Sequence, residues 1–170
     1  LPLVSTLDVD DATKRQTAID GFVAVNALVA TLLDYDERRF RGNRNLALWT
    51  FRSALEYTPS MPEADAEQEW EGHVLAAAAI VEIAGEKIQH WDFGFESGPL
   101  IGDMGAGGPL WDGKHGFCKG RWELWQTRFF ELSADTAEPL LSGEAREKAR
   151  VASETMARPS AQSAEQMGQG

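Results

Sequence analysis

The sequence predicts an all-α fold: a single helical bundle of about five helices with one long glycine-rich loop. Two observations carry this. Five stretches place apolar residues three and four apart between capping or helix-breaking residues, the pattern of helices with one buried face. Between the third and fourth stretches lies a 23-residue segment, 94–116, with eight glycines and no such period. A length of 170 residues suits one domain able to bury about 70% of its unfolded surface. Residues 1–158 are expected to form the helical domain, and 159–170, polar and poor in apolar residues, a flexible C-terminal tail.

The first helix is expected to begin at a cap on Asp10 or Asp11 and to carry Ile19, Phe22, Val23, Val25, Leu28, Val29, Leu32 and Leu33. That distribution is too wide for a surface helix, so the helix is expected at the bundle centre, with Asn26 held there by a hydrogen bond. Arg38, Arg39, Arg41 and Arg44 form the one dense basic patch, and pairing with neighbouring carboxylates is favoured over an anion site. Asn43 is expected to cap a second helix, 45–57. Pro59 and Pro62 then separate it from a long third helix, whose first turn is acidic. Trp70, Val74, Ala77, Val81, Ala84 and Ile88 draw a central seam along that helix, and Gly72 and Gly85 let neighbours approach. His73, beside the seam without a second ligand at helical spacing, reads as a core or boundary histidine. The fourth helix is expected over 117–133, with Trp122, Trp125, Phe129 and Leu132 as its buried stripe, widened by Leu124 and Phe130. Ser142 is expected to cap the last helix, which runs to Met156 before Pro159 on Ala145, Ala149 and Ala152.

Composition narrows the partners. A net charge of −11 disfavours nucleic acid and acidic membranes. The longest apolar run, 21–33, is 13 residues and contains Asn26, which suggests a buried helix and no membrane anchor. No basic segment leads into an apolar core, so no signal peptide is expected. A single cysteine, Cys118, suits a reducing compartment, and cytoplasmic localisation is the default.

Chemistry concentrates at the flanks of the loop. His90, Asp92, Asp112 and His115 are the candidate catalytic residues, because a carboxylate that orients an imidazole supports acid–base work. The spacing matches no zinc motif, so neither metal nor cofactor is expected. The run 102–108 follows no strand, opens no helix and lacks Gly-Lys-Ser/Thr, which excludes a phosphate cradle. Cys118 has His115 three residues upstream, yet nothing orients the pair, and an inert thiol is favoured. Trp91, Trp111, Phe117, Arg121, Trp122 and Trp125 are the candidate ligand-binding residues, since small-molecule sites pair apolar walls with a few polar groups.

The motifs Gly108-Pro109-Leu110-Trp111 and Gly116-Phe117-Cys118-x-x-Arg121-Trp122-x-x-Trp125-x-x-Arg128-Phe129, together with Leu48-Trp49-x-x-Arg52-x-Ala54-Leu55-Glu56, carry a resemblance. Over about 46–156 the chain resembles a family from filamentous fungi known only as a domain of unknown function. The resemblance implies a helical fold and a fungal, intracellular origin, and transfers no catalytic residues. The functional expectation is a small-molecule partner: binding of an apolar metabolite, with a cofactor-independent isomerase or cyclase activity as its catalytic form. The alternative is a protein interaction or assembly module, for which homo-oligomerisation is the natural outcome.

Overall fold

A computed structural model describes residues 12–57, 66–95, 97–98, 102–134 and 141–158. Five helices dominate: α1 (Ala12–Tyr35), α2 (Arg44–Leu55), α3 (Ala66–Ile88), α4 (Lys119–Ser133) and α5 (Gly143–Met156). A 3₁₀ turn, Arg41–Asn43, leads into α2. Two short strands, β1 (Ser97–Gly98) and β2 (Gly102–Asp103), pair antiparallel inside the glycine-rich loop. The expected capping aspartates Asp10 and Asp11, the prolines Pro59, Pro62 and Pro159, and the tail 159–170 lie outside the described residues.

Helix α3 is the centre of the bundle, in contact with α1, α2 and α5, while α5 also packs on α4. All six expected seam residues, from Trp70 to Ile88, are buried. A methyl group at Gly72 would meet Ile19 at 3.7 Å, and one at Gly85 would meet Trp122 at 3.7 Å, so both positions admit a close neighbour. On α4, Trp122, Trp125, Phe129 and Leu132 are buried, each large side chain contributing about 1.5–3 kcal/mol. Ser142 Oγ accepts a hydrogen bond from the Ala145 amide at 3.1 Å, and Ala145, Ala149, Ala152 and Met156 are buried beneath it.

Three expectations are corrected. Helix α1 is peripheral: Ile19, Val29, Ala30 and Leu33 face the core, but Val25, Leu28 and Tyr35 are 47%, 59% and 82% exposed. Its breadth of apolar residues reflects an uncovered second face, which composition cannot distinguish from a buried one. By length and composition, 13–35 is also apolar enough to cross a membrane, with 28% of its most apolar window buried here. Asn43 occupies the N-cap position of α2 but makes no side-chain capping bond, because the preceding 3₁₀ turn already closes the chain there. Helix α4 starts at Lys119 because Phe117 is held in a bridge with Phe93, and Phe130 points outward at 69% exposure.

The expected bond to Asn26 is present: Nδ2 donates to the Phe22 carbonyl at 3.0 Å, and Oδ1 accepts from Thr50 Oγ1 at 2.8 Å. In the basic patch, Arg44 pairs with Glu37 and lies over the rings of Trp91 and Phe93, at 5.3 Å and 4.6 Å from their centroids.

Candidate functional site

One buried ion pair shapes the region around the loop. Glu56 caps the end of α2 and Arg121 stands in the first turn of α4, and both side chains are fully buried. Arg121 Nε donates to Glu56 Oε1 at 2.6 Å, and Nη2 donates to Oε2 at 3.0 Å. The same carboxylate accepts from Trp125 Nε1 at 2.8 Å and from the Gly108 amide at 2.7 Å. Arg121 also donates to the carbonyls of Gly105, Gly116 and Ala106, at 2.9, 2.8 and 3.2 Å. All five of its N–H donors therefore have protein partners. Such saturation is what allows two charges to be carried into a dry interior, where an unpaired one would be strongly destabilising.

The glycines make this anchorage sterically feasible at two places. Gly116 has φ +88°, and a Cβ there would lie 2.2 Å from the Phe93 carbonyl oxygen, where Phe93 and Phe117 exchange backbone hydrogen bonds of 3.1 and 2.9 Å. At Gly108 a Cβ would fall 2.8 Å from the Glu56 backbone oxygen. Further bonds run from the Leu110 amide to the Glu56 carbonyl at 3.1 Å and from Trp49 Nε1 to the Met104 carbonyl at 3.1 Å. Residues 104–116 of the loop are thus fastened at several points to α2 and α4.

The candidate ligand-binding aromatics lie mainly in the packed interior. Trp91 meets Phe117 edge to face at 4.9 Å, Phe117 meets Trp125 at 5.8 Å, and Trp125 stacks on Phe51 at 4.5 Å. Trp111 folds back over its own turn, Nε1 donating to the Lys114 carbonyl at 2.9 Å. Among the candidate catalytic residues, His115 pairs with Asp103 on β2, and Asp92 pairs with Lys114, which raises the lysine pKa chiefly through that hydrogen bond. All of these groups are solvent-exposed, as are His90 and Asp112. The structure therefore brings one imidazole to one carboxylate but does not gather the four candidates into one site. Asp103, within the glycine run, was not a candidate because its register opposite His115 depends on the hairpin. Among the described residues no three His, Cys, Asp or Glu side chains gather as a metal site.

Among the described residues, two cavities stand out away from the loop flanks. The larger, a groove of about 400 Å³ between α3, α4 and α5, has Val81, Ile83, Trp122 and Met156 on its walls and Asp34, Glu82, Glu86 and Arg158 among its polar lining. Asp34 pairs with Lys87 at 3.2 Å and Glu82 with Lys148 at 3.0 Å. Trp122 is the one candidate ligand-binding residue that lines it. The smaller is a cleft of about 110 Å³ between α1, α2 and α3, with Phe22, Val29, Leu46 and Trp49 around Asn26, Thr50, Ser53 and His73. Burial lowers the His73 pKa to about 4, so its ring is neutral at pH 7. The cleft was not legible in the sequence because it forms only where four residues of α1, four of α2 and the single His73 of α3 come together in the packed bundle.

Residues 3–129 match a family described as "Protein of unknown function (DUF3632)". No curated protein and no solved structure matches the chain. The match starts well before the segment that carries the motif resemblance and ends at Phe129, inside α4. The chain belongs to the DUF3632 family.

Proposed function

We propose that this DUF3632 protein binds a small, largely apolar metabolite with a cationic head, in the groove between α3, α4 and α5. The observation that carries the reading is the groove itself. Its volume of about 400 Å³ falls in the range of small-molecule sites, and its lining sets Val81, Ile83, Trp122 and Met156 among charged and polar side chains. Three carboxylates against one guanidinium in the lining favour a positive head over a negative one. Glu86 has no ion-pair partner among the described residues, which leaves it as the group to meet that head. The motif resemblance supports placing such a ligand in fungal metabolism.

An isomerisation or cyclisation would need an acid–base pair against the ligand. The His115–Asp103 pair lines neither cavity, so binding without a catalytic step is the reading favoured here. Phenethylamine and phenylacetate, equal in ring and opposite in charge, test it by calorimetry. Phenethylamine is expected to bind the wild-type chain and to lose at least roughly tenfold in affinity in Glu86→Lys, a change of about 1.4 kcal/mol. Equal binding of the two probes, or an unchanged affinity in the variant, would overturn the proposal.

The uncovered face of α1 favours a second reading, an interaction or assembly module. Val25, Leu28 and Tyr35 project from one side of that helix, and large exposed apolar side chains grouped on one face are the usual mark of a contact surface.

A further inference from the structure

We propose that the cleft between α1, α2 and α3 is a second binding site, for a small uncharged aromatic molecule that carries one hydroxyl group. Its size suits a single ring: about 110 Å³ with an open side, against the roughly 150 Å³ of a closed apolar cavity that takes up benzene. The walls are aromatic and aliphatic, with Phe22 set edge-on to the His73 ring at 4.9 Å and Trp49 on the opposite helix. No lining side chain is charged at neutral pH, the imidazole included, so a charged ligand would lose its hydration without compensation.

The polar lining specifies the head group. Asn26 and Thr50 satisfy one another and nearby carbonyls, Thr50 Oγ1 lying 3.0 Å from the Leu46 carbonyl oxygen. Ser53 and His73 have no hydrogen-bond partner among the described residues, and His73 Nδ1 is enclosed without one. A hydroxyl can donate and accept at once, which suits a cleft whose lining includes both a serine hydroxyl and a neutral imidazole. Access is over Val25 and Trp49, 47% and 39% exposed. The wall is already in position, because Trp49 Nε1 is tied to the Met104 carbonyl at 3.1 Å.

The test is an NMR titration of the isotope-labelled full chain with phenol, and with toluene as the ring that lacks the hydroxyl. Phenol is expected to give saturable shifts confined to Phe22, Trp49 and His73, with toluene roughly three- to tenfold weaker. Ser53→Ala is expected to remove that preference for phenol. Val25→Trp, a substitution at an exposed position on the rim, is expected to abolish binding while the remaining amide signals stay in place. Unsaturable or scattered shifts, equal affinity for toluene, or a Ser53→Ala chain that still prefers phenol would each overturn the inference. None of these outcomes bears on phenethylamine in the other groove, which shares no lining residue with the cleft.

Discussion

The two sides of the bundle handle polar groups in opposite ways. Around the glycine-rich loop, Arg121 and Glu56 are fully buried and every donor of the guanidinium is engaged by the protein. Around α1, His73 and Ser53 have no hydrogen-bond partner among the described residues, and Leu28 stands 59% exposed. The Glu56–Arg121 centre, whose donors and acceptors meet one another, is built for rigidity and has little left to offer a ligand. A region with unmatched polar groups beside open apolar surface sacrifices stability and retains the capacity to bind. By this contrast the Glu56–Arg121 centre is scaffold, and the two proposed binding sites lie elsewhere, in the cleft beside α1 and in the groove that Trp122 shares with α3 and α5.

Breaking the saturated side is expected to have the largest effect. Glu56→Ala leaves the Arg121 charge buried without its counterion and should cost about 3–5 kcal/mol in urea denaturation at neutral pH. A loss under 1 kcal/mol would mean that water or a neighbouring carbonyl already compensates that charge. The next effect is a pH dependence on the open side. The folded-state pKa of His73, about 4, lies below the ordinary 6.5, so the unfolded chain binds the proton more tightly. The stabilisation is complete above pH 6.5, falls away as pH drops through the window between 6.5 and about 4, and amounts to up to about 3 kcal/mol. His73→Gln should flatten the denaturation profile across that window, and an unchanged slope would assign it to other groups. The smallest expected effect sharpens the contrast from outside. Leu28→Glu should leave stability within about 0.5 kcal/mol, as for other exposed sites, and should dissociate any assembly built on α1 when followed by light scattering.

The helices were largely legible because they rest on local signals. The seam from Trp70 to Ile88 follows from spacing alone, and Ser142 with the alanines after it marks α5 from cap to apolar face. What was not legible depends on contacts distant in sequence. The apolar breadth of α1 has the same sequence pattern whether a helix is enclosed or half open, and only the placement of α3 decides it. Glu56 and Arg121 both stand in the motifs that carry the family resemblance, yet their pairing across 65 positions leaves no local trace. His73 reads correctly as a boundary residue, but its cleft exists only where three helices converge. The His115–Asp103 pair was hidden in the same way by the small hairpin.

The Glu56–Arg121 contact also bears on the order in which the fold can be completed. Synthesis delivers α1, α2 and α3 before residue 121 exists, so the carboxylate at the end of α2 cannot be neutralised when the first three helices first meet. Until α4 emerges, the Arg121 partner of the Glu56 carboxylate and of the Gly105 and Ala106 carbonyls is missing. Only with α4 present is the counterion in place that allows the Glu56 charge to be buried beneath the loop.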